Sequence, residues 1–285
     1  MIAGRLFVTA LTAALVMSGC GRGGQTSHRS TDLVVGSRAG IESALLADVY
    51  TGALRSYGFP AHSEQAPDPL TKLDAGAFGV VPSLTGRVLQ AFQPGANARS
   101  DAQVYKAMIG ALPEGIAAGD YTTAAEDKPA LAVTDATSKS WGGNDLGALP
   151  RHCDGLVVGA IAAAPTPSAI GSCRLPAARQ FDNEATLFAA VKSGEVTAAW
   201  TTTADPNVPA DLVVLTDGKP ALVQAENVVP LYRRNALTDR QLLAVNEVAG
   251  VLDTAALVDM RRQVTAGADP QAVADAWLNE HPLGR

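Results

Sequence analysis

The chain has 285 residues, which is enough for two α/β lobes or one large domain. Its formal net charge is −6 and no cluster of Lys or Arg interrupts the acidic balance, so nucleic acid is not an expected partner. Hydrophobic residues make up 47% of the sequence, which is typical of a core rich in Ala, Val and Leu. Aromatic residues make up only 5%, so there is no excess of aromatic surface for binding polymers.

The N-terminal segment has the pattern of an export signal. Arg5 precedes an apolar run, residues 6–17, that is too short to span a bilayer and fits the hydrophobic region of a signal peptide. The tetrapeptide Met-Ser-Gly-Cys that ends at Cys20 resembles the cleavage box of bacterial lipoproteins, in which the cysteine is lipidated. We therefore predict a signal peptide at residues 1–19 and lipidation of Cys20. The alternative is an ordinary signal peptide that is followed by an incidental cysteine.

The segment between the predicted anchor and the folded body is polar. Residues 21–31 carry no apolar side chain, which is typical of a flexible tether. We predict that residues 20–31 consist of the lipidated cysteine and this tether. The body is then expected to be extracytoplasmic and held at the outer face of the cell membrane by its lipid.

The folded body begins with a strand, a tight turn and an amphipathic helix. A short apolar run at residues 33–36 ends in a turn, and apolar residues then recur at helical spacing over 41–57. Gly58 and Pro60 end this helix. The order of elements indicates an α/β protein.

More strands and one helix are predicted in the middle of the chain. The helix covers residues 184–192 and is capped by Asn183 or Asp182. Pro230 lies inside the last predicted strand and favours a sheet edge or a chain crossing there, because proline cannot donate to a central ladder. The predicted strands are 130–134, 196–201, 211–215 and 228–232.

Beyond residue 238 the pattern is helical to the end of the chain. Thr238 and Gln241 have the spacing of a capping box, and Asp269-Pro270 is an N-cap followed by proline at the first helical position. We predict three helices in this region.

Two cysteines lie in the body, at Cys153 and Cys173. In an oxidising compartment a disulfide between them is the default expectation, with two unpaired thiols as the alternative. Their spacing is not that of a metal site, and the 4 histidines of the chain add no ligand cluster, so no bound metal is expected.

The sequence lacks the motifs that would indicate an exported hydrolase. The G-x-S-x-G elbow, S-x-x-K, H-E-x-x-H, C-x-x-C and the Walker loop are all absent. The acidic residues are scattered and form no evident catalytic pair. We therefore do not expect an enzyme.

Several short motifs occur in a fixed order along the body. They are Gly36-Ser37-Arg38 with Glu42, Pro82-Ser83-Leu84-Thr85-Gly86, the strand "ALAV", Asp154-Gly155-Leu156, Gly194-Glu195-Val196 with "TTTAD", then "DLVVL" and Asn227. With the spacing of the last helices, this series resembles the substrate-binding proteins of ABC importers for glycine betaine, choline and related osmoprotectants. The resemblance covers nearly all of the chain from about residue 33 to residue 285.

The resemblance implies a two-lobed α/β fold, the periplasmic-binding-protein fold of type II, with a ligand cleft between the lobes. Lobe 1 is expected at 32–128 plus 228–285 and lobe 2 at 129–227, with chain crossings near Pro129 and Asn227. The implied partners are a small-molecule solute, the ABC permease and ATPase subunits, and the membrane through the lipid anchor. No cofactor is implied.

The resemblance also suggests which residues bind the ligand. In the family a Lys aligned with Arg38 and an Arg aligned with His152 lie at the ligand carboxylate, so this end of the site stays cationic. The alternative for Arg38 is a salt bridge with Glu42, and the alternative for Trp200 as a cleft wall is a buried strand residue. The full candidate set is Ser37, Arg38, Ser83, Thr85, His152, Trp200, Thr202, Glu226 and Asn227.

The sequence departs from the family at the tyrosines that hold a quaternary ammonium group. Most of them are replaced, and one aligns with Glu226, which suits a primary or secondary ammonium better than a quaternary one. We therefore predict an amine-bearing or amino-acid-like ligand in preference to glycine betaine. The alternative is that Glu226 points to solvent near the hinge and that the cage uses Trp200. The alternative function is an accessory lipoprotein that keeps the fold, has lost betaine binding and acts through another ligand or a protein partner.

Overall fold

The computed structural model describes residues 32–162, 164 and 166–284. The predicted signal peptide, Cys20 and the tether lie outside the described residues.

The strands are short and are distributed along the whole body. In chain order they are β1 (Leu33–Ser37), β2 (Ala61–Gln65), β3 (Val80–Leu84), β4 (Ile116–Ala118), β5 (Pro129–Thr134), β6 (Val158–Ile161), β7 (Ala169–Ile170), β8 (Cys173–Arg174), β9 (Arg179–Phe181), β10 (Ala198–Thr202), β11 (Leu212–Val214) and β12 (Val228–Arg233).

Helices alternate with these strands and then close the chain. In chain order they are α1 (Ile41–Ser56), α2 (Pro69–Asp74), α3 (Thr85–Phe92), α4 (Asp101–Ala111), α5 (Asp135–Ser140), α6 (Glu184–Lys192), α7 (Asp239–Val251), α8 (Thr254–Thr265) and α9 (Pro270–Glu280). A 3-10 helix at Leu146–Arg151 lies between α5 and β6.

The strands form two five-stranded sheets and a small ribbon. The first sheet has the order β2-β1-β3-β12-β4, the second has the order β11-β5-β10-β6-β9, and β7 pairs with β8. Both large sheets are mixed, because β1 runs parallel to β2 and β3 while β12 is antiparallel to β3, and β10 runs parallel to β6 and antiparallel to β5.

The chain passes between the sheets twice, after β4 and again before β12. The two connecting segments are hydrogen-bonded to each other. Glu126 and Asn227 form an antiparallel bridge, and the Asp127 N–H donates to the Glu226 carbonyl at 2.9 Å. The side chains of residues 126–127 and 226–227 are therefore held at the boundary between the two sheets.

Each sheet has its own apolar core. In the first, α1 is buried along most of its length and contacts β1, β2 and β3 on one side and α7, α8 and α9 on others. A helix that is covered on several sides is apolar on several sides, which explains the dense apolar pattern of residues 41–56. In the second, Leu131, Leu149, Val158 and Trp200 belong to one buried cluster.

Local signals in the sequence place several helix ends correctly. Asn183 caps α6 by accepting the Thr186 N–H at 2.9 Å. Thr238 and Gln241 form the predicted capping box of α7, and Asp269 caps α9. The helices predicted at 41–57 and 184–192, and the three predicted at the end of the chain, are confirmed.

Pro230 does not lie at a sheet edge. Strand β12 lies between β3 and β4, so the edge prediction is wrong, although β12 does follow directly on a chain crossing. The register explains how a proline is tolerated here. Pro230 lies opposite Pro82 of β3, so neither partner supplies an N–H at this pair, and its carbonyl accepts the Gly119 N–H at 2.9 Å on the other side.

Within the described residues no single helix is long and apolar enough to cross a membrane. The pair α7 and α8 has the length and composition of a span only when its two helices are taken together, and these meet at an angle of 96°. Both helices contribute to the core of the first sheet, for example through Val245 and Leu257.

Candidate functional site

A cavity of about 1230 Å³ lies between elements of the two sheets. The first sheet and its helices contribute Glu42, Arg87 and Arg261, the second contributes Trp200, Thr202 and other residues, and the connecting segments contribute Asp127 and Glu226. A cleft that is lined from both sides and from the connections can enclose a small molecule when the two halves approach.

Four charged side chains form an ion-pair cluster on the first-sheet side of the cavity. Arg261 Nη1 lies 3.1 Å from Asp127 Oδ2, and its Nη2 lies 3.5 Å from Glu42 Oε1. Arg87 Nη1 lies 3.1 Å from Glu42 Oε1, and its Nη2 lies 3.9 Å from Asp127 Oδ2. Each guanidinium group therefore contacts both carboxylates.

Burial differs within this cluster and sets its electrostatics. The side chains of Arg261 and Asp127 are only 6% and 2% exposed, whereas that of Arg87 is 55% exposed. Burial and the charge of Asp127 raise the pKa of Glu42, and the charges of Arg87 and Arg261 oppose this rise. Arg261 Nη1 also donates to the Ala204 carbonyl at 2.9 Å, which joins α8 to the loop after β10.

Glu226 lies at the N-terminus of α3. Its Oε2 accepts the Arg87 N–H at 2.9 Å. A Cβ added to Gly86 would lie 2.7 Å from Glu226 Oε1, so a glycine is needed at this position for the carboxylate to approach the helix. Burial raises the pKa of Glu226 to about 7, while the N–H and the charge of Arg87 and the N–H of Gly86 favour the ionised form.

The second-sheet side of the cavity is acidic and carries a tryptophan. Asp205 accepts the Thr201 hydroxyl at 2.6 Å and the Asn207 N–H at 2.9 Å. Burial and the charge of Asp205 raise the pKa of Glu184, and a hydrogen bond with the Asn207 side chain opposes this rise. Trp200 precedes Thr201 on strand β10 and also lines the cavity.

The structure brings three of the predicted ligand residues to the cavity, namely Trp200, Thr202 and Glu226. Glu226 is 9% exposed and its carboxylate contacts α3 instead of pointing to solvent. Trp200 combines both sequence-based alternatives, because it is 7% exposed within the core of the second sheet and also contributes to the cavity wall.

The predicted residues at the end of β1 lie outside the cavity lining. Ser37 is buried, and its Oγ has no hydrogen-bond partner among the described residues. Arg38 is exposed, and its backbone N–H donates to Ser43 Oγ at 3.0 Å. Glu42 pairs with Arg87 and Arg261, so the structure does not contain the Arg38–Glu42 bridge considered as an alternative.

Thr85 and Asn227 support the site from behind and do not line it. The Thr85 hydroxyl accepts the Asn227 N–H at 3.1 Å, and the Thr85 N–H donates to the Asn227 carbonyl at 2.9 Å. The Asn227 side chain donates to the Thr122 carbonyl at 2.9 Å. These contacts fix the segment that carries Glu226 against α3. Ser83 pairs with Val229 in the sheet.

His152 is held within the second half of the protein. Its ring stacks on Trp141 with a centroid distance of 5.1 Å, and it does not line the cavity. The neighbouring residue Cys153 is joined to Cys173 by a disulfide, with Cα atoms 5.6 Å apart. Ser168 and Ala169, which lie within the segment closed by this bridge, are part of the cavity wall.

Sequence analysis did not identify Arg87, Asp127 and Arg261 as site residues. Their ion pairs join segments that are far apart in the chain, which no local pattern reveals. One signal was present for Arg261. Arg261 falls among the buried positions of α8, with Leu257 and Val264. A charged side chain on the apolar face of a helix requires a partner of opposite charge.

No group of three or more His, Cys, Asp or Glu side chains that could hold a metal ion occurs among the described residues. The described cavity lining instead contains carboxylates, guanidinium groups and one tryptophan, a combination that suits a small polar or charged organic solute.

A family model matches most of the chain. It is described as the substrate binding domain of ABC-type glycine betaine transport system, and it matches residues 31–280. A search of curated protein sequences finds no match.

The fold is similar to that of solved binding proteins. Apo YehZ from Escherichia coli matches with 19% identity and a TM-score of 0.70, over 88% of this chain and 99% of that chain. A glycine betaine/carnitine/choline ABC transporter structure matches with 14% identity and a TM-score of 0.74, over 88% and 98%. An ABC-transporter choline binding protein in complex with choline matches with 15% identity and a TM-score of 0.53, over 88% and 89%. The predicted fold class, a type II periplasmic binding protein, is confirmed.

Proposed function

Because this chain belongs to the family of substrate-binding domains of ABC-type glycine betaine transport systems, we propose that its cleft captures a small polar or zwitterionic solute of the osmoprotectant or amine type. The captured solute passes to a membrane permease that is driven by an ATPase. The family is a class of transport binding domains and not a class of enzymes.

The observation that carries this proposal is the cavity between the two sheets. It is lined by both halves of the protein and by the two connecting segments, and these segments are hydrogen-bonded to each other. In the proposal, residues 32–128 with 228–285 form one lobe and residues 129–227 form the other. A hinge at residues 126–128 and 226–228 lets the lobes close on the solute and open to release it.

The N-terminal sequence supports a lipid anchor for this module. A signal peptide at 1–19, lipidation at Cys20 and a polar tether at 20–31 keep the cleft outside the cell and close to the permease. The tether leaves the body free to orient toward the membrane subunits.

A thermal-shift screen of the full-length chain tests the proposal. The panel consists of amino acids, betaines, choline, polyamines and sugars. A ligand at roughly 100 times its dissociation constant adds about 2.7 kcal/mol to the free energy of unfolding. Stabilisation by one small solute class supports capture in the cleft, and the absence of stabilisation by every member of the panel contradicts it.

An accessory role is the second candidate, and one observation favours it. Trp200 is the one aromatic residue among the described residues that line the cavity, so a cage of several rings for a quaternary ammonium is missing from that part of the chain. A chain in this role acts through another ligand or a protein partner. Genes for a permease and an ATPase beside the gene for this chain favour import, and their absence with a negative screen favours the accessory role.

A further inference from the structure

The protein's own carboxylates already engage the anion-binding groups of the cleft. The N-terminus of α3 presents free N–H groups and the positive end of a helix dipole, which attract an anion. Glu226 fills this position, because its Oε2 accepts the Arg87 N–H at 2.9 Å and its Oε1 lies next to Gly86. The burial of Glu226, which is 9% exposed, shows that this contact is part of the packed structure.

The two guanidinium groups of the ion-pair cluster are also paired with carboxylates of the protein. Arg261 lies 3.1 Å from Asp127, and Arg87 lies 3.1 Å from Glu42. A carboxylate on an incoming solute would therefore compete with Asp127 and Glu42 for the guanidinium groups and with Glu226 for the N-terminus of α3. Like charges at close range disfavour its entry.

We propose that Glu226 determines specificity by occupying the place of a solute carboxylate, so that the cleft selects small primary or secondary ammonium ions that carry no carboxylate. This inference rests on the proposed function of solute capture and deepens it. The sequence predicted an amine-bearing or amino-acid-like ligand, and of these two classes only amines without a carboxylate remain.

The remaining charges of the cleft suit a cation. The described lining residues include five carboxylates and three guanidinium groups. Glu184 and Asp205 belong to the five, and neither forms an ion pair with a described basic residue within 4.0 Å. An ammonium with N–H groups can donate to these carboxylates, whereas a quaternary group has no N–H to donate.

Arg99 is the one lining residue that argues for a carboxylate. It is exposed, and no described acidic side chain forms an ion pair with it. If Arg99 binds a solute carboxylate, zwitterions bind more tightly than amines without a carboxylate, and Arg99→Gln lowers the affinity for zwitterions only.

Calorimetric titration at pH 8, where Glu226 is mainly ionised because its pKa is about 7, separates these outcomes with four compounds of similar size. Ethanolamine, glycine, choline and glycine betaine vary two properties independently, namely the carboxylate and the methylation of the nitrogen. The full-length chain is expected to bind ethanolamine at least about tenfold more tightly than each of the others.

Substitution of Glu226 tests the mechanism. Glu226→Ala empties the N-terminus of α3, so we expect ethanolamine affinity to fall and glycine affinity to rise. Glu226→Gln keeps the volume and removes the charge, so we expect ethanolamine affinity alone to fall. The matched control is Glu195→Gln, because Glu195 is an exposed residue that pairs with Arg179 and does not line the cavity. Circular dichroism establishes that each variant is folded.

The outcomes are distinguishable. Tighter binding of glycine or glycine betaine than of ethanolamine, or choline binding as tight as ethanolamine, overturns the inference and leaves solute capture intact. Glycine affinity that does not rise in folded Glu226→Ala also overturns it. If neither these compounds nor the wider panel bind, the proposed function fails and the inference fails with it.

Discussion

Arg261 Nη1 lies 3.1 Å from Asp127 Oδ2, with both side chains almost completely buried. The pair joins α8, near the end of the chain, to the first connecting segment between the sheets. Arg261 also donates to the Ala204 carbonyl from the second half of the protein. This contact therefore ties three distant segments together directly beside the cleft.

Removing the guanidinium group should destabilise the protein strongly. Arg261→Met leaves Asp127 as a buried carboxylate without its closest partner, and breaking a buried pair in this way costs about 3–5 kcal/mol. Denaturant unfolding followed by circular dichroism measures the loss.

The adjacent residue supplies the control. Arg262 is 59% exposed, and among the described residues it pairs only with Asp259, at 3.5 Å, so Arg262→Met should change stability by less than about 1 kcal/mol. Equal effects of the two substitutions would show that the buried pair contributes no more than a surface pair.

Glu226 should make the stability depend on pH. Its pKa is about 7 in the folded protein against an ordinary value of 4.5, so the folded state keeps a proton that the unfolded chain has already lost. The resulting stabilisation is fully present below pH 4.5 and is lost as the pH rises through about 7. We expect wild type to lose roughly 3 kcal/mol relative to Glu226→Gln across this window.

Unfolding free energies of both proteins at several pH values measure this difference. Glu195→Gln, an exposed substitution of the same kind, should follow wild type at each pH. A difference between wild type and Glu226→Gln that stays constant from pH 5 to pH 8 contradicts the prediction.

The disulfide between Cys153 and Cys173 should stabilise the second half of the protein. It closes a segment with a sequence separation of 20 residues, and loop entropy gives about 3 kcal/mol for a loop of this size. In the Cys20→Ala background the denatured, unreduced chain should contain no reactive thiol, and reduction should release two and lower the unfolding temperature. Two thiols before reduction, or no change in unfolding temperature after it, would count against this bridge.

The lipid anchor makes a separate prediction. Cys20→Ala should abolish incorporation of labelled fatty acid and either release the protein from the membrane or leave an unprocessed precursor. Ser27→Ala, in the same polar segment, should be labelled like wild type. Undiminished labelling of Cys20→Ala would identify another site of attachment and refute the prediction.

The sequence predicted five of the nine described α-helices, namely α1, α6, α7, α8 and α9, because their signals are local. Apolar spacing over 41–57, the capping pair Thr238 and Gln241, and the cap at Asp269 act within a few residues. For Pro230 the edge alternative was wrong, because a proline is tolerated inside this sheet by pairing with another proline, and only the register of β3 and β12 reveals that.

The site was predicted less completely because it is assembled from distant segments. The resemblance suggested Trp200, Thr202 and Glu226, and these three residues line the cavity. The first two lie on β10, and Glu226 lies in the second connecting segment. It also nominated Arg38 and His152 as cationic groups, and the structure places the first at the surface and the second against Trp141. The guanidinium groups that line the cavity near Glu226 are Arg87 and Arg261, which belong to the first turn of α3 and the buried face of α8.

Intrinsic fluorescence tests whether the cavity between the sheets binds the solute. The chain has 3 tryptophans, and Trp200 lines the cavity whereas Trp141 and Trp277 do not. Ethanolamine and glycine betaine are titrated separately into the full-length chain and into Trp200→Phe, Trp141→Phe and Trp277→Phe. If the solute binds in this cavity, we expect a saturable fluorescence change in wild type that persists in the Trp141 and Trp277 variants and disappears in Trp200→Phe. A change that persists in Trp200→Phe and disappears in either of the other variants contradicts it, because the solute then binds elsewhere.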